Sequence, residues 1–101
     1  MPFKFENLKV WQLSLDLADK IHVLTKIFPR DEMFSLTQQI KKAADSIALN
    51  IAQGSTSQSN EEFKRFRGYS IRSGVEVAAC LYLARRRKYI KMYNLRNCII
   101  S

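Results

Sequence analysis

Residues 59–88 read SNEEFKRFRGYSIRSGVEVAACLYLARRRK, and this stretch decides the fold. Ser59-Asn60-Glu61-Glu62 fits a capping box, in which the Ser59 oxygen accepts from the Glu62 amide while the Glu62 side chain reaches back. From there Phe63, Phe66, Ser70, Ser73, Val77, Cys80 and Ala84 recur in steps of three and four. That is a heptad-like seam, and the small residues in its middle let a neighbouring helix come close. No proline interrupts the run before Tyr89. The spacing therefore predicts one helix of about 28 residues, roughly 40 Å long. Gly68 and Gly74 weaken it by up to about 1 kcal/mol each relative to Ala.

Two further helices are legible upstream. Val10, Leu13, Leu17, Ile21, Leu24 and Phe28 recur at helical spacing, with Asp16, Asp19, Lys20 and Lys26 between them, and Pro29 ends the run. Phe3 and Phe5 form an apolar lead-in that folds back on this helix. After a short charged connection, Ser35 or a neighbour opens a second run, with Leu36, Ile40, Ala43, Ala44, Ile47 and Ile51 as its apolar positions. Gly54 and the Ser/Thr/Gln segment after it supply a stop and a solvated loop. The last stretch, KMYNLRNCIIS, has room for two or three turns, so a fourth helix is expected only as a short, truncated segment. The predicted fold is an all-α antiparallel up-down bundle, a single domain over residues 1–101. Three helices and a stub leave an apolar groove uncovered, and a strip of that kind invites self-association.

Composition agrees and narrows the class. A chain of 101 residues at 47% apolar suits one domain, and 3 Gly with 2 Pro argue against a turn-rich β-sandwich. Two cysteines, Cys80 and Cys98, make neither a disulfide scaffold nor a four-ligand zinc site, and both read as small buried hydrophobes in a reduced compartment. One His excludes a multi-histidine centre within a subunit. No run approaches the roughly 20 apolar residues that span a bilayer, and no signal-peptide core opens the chain, so a cytoplasmic protein without a membrane partner is expected.

The charge is unevenly divided. The chain carries 17 Lys and Arg against 9 Asp and Glu, a net +8. Residues 1–53 hold seven basic and six acidic groups, whereas residues 54–101 hold ten and three. Arg85-Arg86-Arg87-Lys88 gathers four cations at a helix C-terminus, where the helix dipole favours them, and Lys64, Arg65, Arg67 and Arg72 lie further up the same helix. Arg forks and Lys point charges neutralise phosphates and release counterions, which gives salt-sensitive, sequence-tolerant binding of RNA or single-stranded DNA. Tyr82 and Tyr89 beside the Arg run offer stacking surfaces for unpaired bases. Lys41 and Lys42, about 100° apart on the second helix, bracket one exposed edge and add an anion contact. A solvated charged face is the competing explanation for all of these.

No enzyme motif emerges. Ser73 and Glu76 lie one turn apart and call for polar partners if they face inward, with Asn50 and Gln39 as candidates. His22 stands alone, and the serines after Gly54 have neither a base nor a nucleophile elbow. There is no Gly-rich phosphate loop, so no catalytic residue, metal or cofactor is expected. Trp11 reads as a large core or interface anchor.

Several strings in order resemble a known family. They are Leu8-Lys9-Val10-Trp11-Gln12, Phe28-Pro29 with Glu32 and Phe34-Ser35-Leu36-Thr37, and Gln39 through Ile47. Asn50-Ile51-Ala52-Gln53-Gly54, Glu62-Phe63 with Arg65-Phe66, Ser73 with Glu76, and Tyr89-Ile90 continue the match. Across about residues 3–90 the chain resembles the four-helix-bundle family, also called the 23S rRNA intervening-sequence proteins. The resemblance implies a bacterial antiparallel four-helix bundle, a homo-oligomer and often a pentamer, with no established enzymatic activity. It also implies a similarity in fold to a basic, ring-forming, nucleic-acid-binding accessory protein of retroelements. The family's basic pair falls on Lys41 and Lys42 and its recurrent Asn on Asn50. Ser35, Ala48, Gln53 and Arg72 depart from its pattern, where Gly, Pro, Glu and Gly are usual. The expected function is a non-catalytic, oligomeric nucleic-acid-binding protein, RNA favoured, with a structural or protein-interaction module as the alternative.

Overall fold

The computed structural model describes residues 4–91 and 94. A short 3-10 turn, Lys4–Asn7, leads into α1 (Lys9–Leu24), followed by α2 (Leu36–Ser55) and α3 (Asn60–Arg86). Between α1 and α2 lie two more 3-10 turns, Thr25–Ile27 and Arg30–Glu32. There is no strand among the described residues. Cross-helix contacts fix the direction of travel: Gln39 meets Glu76, Ser46 meets Ser73, Ile47 meets Ser70 and Gly54 meets Phe66. Numbers that fall on one helix as they rise on the other describe an antiparallel pair. The three helices form an up-down-up bundle 44 × 21 × 21 Å in extent, with α2 in contact with both neighbours.

Each boundary has a local cause. The first helix is shorter than the run to Phe28 predicted by its apolar spacing. The Thr25 hydroxyl donates to the His22 carbonyl at 3.0 Å, and beyond Leu24 the chain tightens into a 3-10 turn before Pro29. Ser35 precedes α2 without capping it; its hydroxyl turns instead to Glu32 at 2.6 Å. At α3 one half of the expected capping box forms, with Ser59 Oγ accepting from the Glu62 amide at 3.1 Å; the Glu62 side chain does not bond back to the Ser59 amide. Gly54 does not stop α2. It lies buried within the last turn, where an added Cβ would sit 3.1 Å from Phe66 Cβ, so its value is the close approach of α2 and α3. The lead-in holds for Phe5, whose ring meets Trp11 edge-on at 4.8 Å, while Phe3 and the expected fourth segment from Met92 lie outside the described residues.

The core occupies one half of the bundle. Ala18, Ile21, Leu24 and Phe28 meet Leu36, Ile40, Ala43 and Ala44, and Val77, Cys80, Leu81, Ala84 and Ile90 complete the cluster. All of these lie toward the end of the molecule where α1 and α3 finish. Cys80 is buried as the sequence suggested, and that burial pushes its thiol up from the usual range. At the other end Val10 and Leu13, on the apolar stripe of α1, are 56% and 52% exposed, and Val10 lines an open groove between the three helices. Leu81→Ala is expected to cost about 2–5 kcal/mol by removing buried atoms and leaving a cavity. Val23→Ala, on the exposed side of α1, should stay within about 0.5 kcal/mol. Urea denaturation of the two variants checks the contrast.

Candidate nucleic-acid interface

One carboxylate organises the end of the bundle where the core lies. Pro29 and the Arg30–Glu32 turn bring Glu32 to the start of α2. There its Oε1 accepts from the Ser35 hydroxyl, while Oε2 accepts from Arg87 Nη1 at 2.8 Å and from the Tyr89 hydroxyl at 2.7 Å. The Glu32 side chain is only 13% exposed. The Ser35 and Tyr89 hydrogen bonds, helped by the Leu36 amide and the Arg87 charge, hold its carboxyl down at about 2 against the opposing effect of burial. Bonding to Glu32 raises the Tyr89 phenol above its usual value, with burial acting in the same direction.

The exit of α3 is shaped to meet this carboxylate. Lys88 adopts a left-handed conformation with φ 65°, the Tyr89 amide donates back to the Ala84 carbonyl, and the Lys88 amide donates to the Arg85 carbonyl. This pair of bonds is a Schellman turn. It folds Tyr89 back so that its ring lies 5.7 Å from that of Phe28. Tyr89 is thus half-buried and engaged on both its ring and its hydroxyl, which leaves Tyr82, 55% exposed, as the stacking surface of the two.

A polar seam joins α2 to α3 as the sequence proposed, with one change of partner. Gln39 donates to Glu76 at 3.1 Å. Ser73 donates to Ser46, and Asn50 reaches Ser46 as well instead of Ser73 or Glu76. Ser70 donates to the Ile47 carbonyl. These bonds satisfy the small polar residues that allow the two helices to approach.

Nine of the ten cations singled out from the sequence are exposed: Lys42, Lys64, Arg65, Arg67, Arg72, Arg85, Arg86, Arg87 and Lys88; Lys41 is half-buried. Among the described residues Arg87 alone of the ten forms an ion pair, with Glu32. At about 100° per residue the cations of α3 spread over three sides of the helix. Lys64 and Arg86 lie on its outer face, and Arg65 and Arg72 on the flank that carries Glu76. Arg67 and Arg85 lie on the flank toward α1. Arg72, which stands where the resembled family usually has Gly, is exposed. Arg65 and Arg67 also lie over the rings of Phe66 and Phe63, at 5.4 and 5.9 Å from the centroids.

A family model described as 23S rRNA-intervening sequence protein matches residues 6–99. The chain belongs to that family. No curated protein matches it. In this 23S rRNA-intervening sequence family member the unfilled half of the bundle is an open groove of about 1020 Å³. Val10, Ile47, Ile51, Phe63 and Ile71 give it apolar walls, and Arg67 is the charged residue lining it. A second, more polar cleft of about 580 Å³ runs between Gln38, Lys42 and Glu76, beside Phe34, which is 85% exposed. No described helix is long and apolar enough to cross a membrane.

The Glu32 cluster makes a signed prediction about acid. Its carboxyl ionises at about 2 in the native state against 4.5 ordinarily, so the native state binds fewer protons between these values. The stabilisation is complete above 4.5 and is lost as pH falls toward 2. Tyr89 acts in the opposite sense, its contribution being present below pH 10 and lost as pH rises through its elevated native value. Urea midpoints followed from pH 5 down to pH 2 should fall for the wild type and fall less for Glu32→Gln. Parallel curves for the two proteins would contradict the assignment.

Proposed function

We propose that this protein is a self-associating, non-catalytic helical bundle that binds nucleic acid, RNA preferred, through its basic surface. The observation that carries this reading is the set of exposed cations on α3 and its exit, which among the described residues are unpaired except at Arg87. Unpaired, solvated cations are the groups that exchange condensed counterions when phosphates arrive. Membership of a family described by its link to 23S rRNA supports RNA over other anions. The open apolar groove supports self-association, because contiguous exposed apolar surface marks interaction sites.

A second reading is favoured by the spread of cations over three sides of α3. A dispersed charge keeps an assembly module soluble without forming a binding face. The two readings part in a salt series with single-stranded RNA. Binding should weaken steeply as salt rises, and replacing Arg85 and Arg86 by Ala, with Arg87 left on Glu32, should reduce the slope of log K against log salt by about 1.4. No binding at low salt would favour the assembly module. In light scattering the protein should have a mass well above the 11.8 kDa of one chain, and a stable monomer would contradict self-association.

A further inference from the structure

Residues distant in sequence meet at the end of the bundle organised by Glu32. The α1–α2 connection brings Lys26 and Arg30, and the exit of α3 brings Arg85, Arg86, Arg87, Lys88 and Lys91. The two segments are held together by the Arg87 and Tyr89 bonds to Glu32 and by the Phe28–Tyr89 contact. Glu32 and Arg87 neutralise each other, so Lys26, Arg30, Arg85, Arg86, Lys88 and Lys91 remain, all exposed, facing a single carboxylate, Asp31. Nowhere else among the described residues does the topology gather so many cations from two segments. The first segment, read alone, is electrically balanced.

We propose that the phosphate backbone of a nucleic-acid strand docks across this end, with Lys26, Arg30 and Lys91 as contacts beside Arg85, Arg86 and Lys88. The inference rests on the nucleic-acid reading above and adds the place of contact and three residues outside the α3 run. Glu32 acts here as a positioning residue: it fixes the Arg30 turn against the α3 exit, and its own charge is cancelled by Arg87. A strand crossing the end meets cations from both segments, which a strand lying along α3 does not.

The test uses the full chain and a single-stranded oligouridylate of about 20 nucleotides. At about 0.1 M salt, losing one phosphate contact on a single strand should weaken binding about fivefold and lower the salt slope by about 0.7. Arg30→Ala and Lys91→Ala should each show this loss. Lys9→Ala removes one charge at the opposite end of the bundle and should change binding by less than about twofold. All three side chains are exposed, and an unchanged helical circular dichroism signal verifies the fold of each variant. Equal losses in all three variants, or none in Arg30→Ala and Lys91→Ala, would overturn the docking site while leaving nucleic-acid binding in place. A wild-type protein that fails to bind the oligomer at about 20 mM salt would overturn the underlying reading instead.

Discussion

The carboxylate of Glu32 is the contact on which the shape of this molecule depends. It lies at the start of α2, where free amides and the helix dipole favour a negative group. It also accepts from two residues that arrive after α3 has ended. A largely buried carboxylate without partners would be costly, and here Ser35, Arg87 and Tyr89 all donate to it. The result is a clasp between the α1–α2 connection and the α3 exit. Behind it Phe28, Leu36, Leu81, Ala84 and Ile90 are shut off from water.

The opposite end has no such clasp, and its packing differs accordingly. Large residues fill the space between three helices at the closed end, whereas at the open end the α2–α3 contact and the Lys4–Asn7 turn packed on α1 and α2 leave a groove. That contact is close where Gly54 admits Phe66 and where Ser70 and Ser73 bond directly to α2. The same close approach of α2 and α3 leaves Val10 and Ile71 facing the open groove. The groove is a consequence of a polar, close-packed helix pair set beside a third helix whose apolar stripe continues past the end of the core.

The helices and the α3 cap were legible in the sequence because each depends on residues within a few positions of one another. Gln39 was legible as a candidate partner for Glu76, and the two do bond. Other features depended on spatial neighbours. Periodicity marked Val10 and Leu13 as apolar-face residues without revealing that nothing would cover that face. Gly54 looked like a helix stop because glycine commonly ends helices, but its actual role is to admit Phe66. Arg87 was indistinguishable from Arg85 and Arg86 in a run of four cations, and only the packed structure sets it against Glu32. Arg30 and Lys91, proposed above as contacts, do not stand out in the sequence for the converse reason. Each lies in an unremarkable local context, and they share an end through contacts between residues more than 50 positions apart, Glu32 with Arg87 and Tyr89 and Phe28 with Tyr89.

The division of the bundle into a closed cationic end and an open apolar groove sets two forces against each other. A chain of net +8 repels its own copies, and that repulsion is longest in range at low salt. Apolar contact through the groove is short-ranged and insensitive to modest salt, so raising the ionic strength relieves repulsion and favours self-association. The same change weakens phosphate contact, whose affinity derives from released counterions. A bound polyanion resolves the conflict by neutralising the cations that hold copies apart. Nucleic acid and self-association would then reinforce each other although they use different faces of the molecule. The clasp at Glu32 bears on both proposals, since it closes the core beside α1 and brings together the two segments whose cations are proposed to meet the strand.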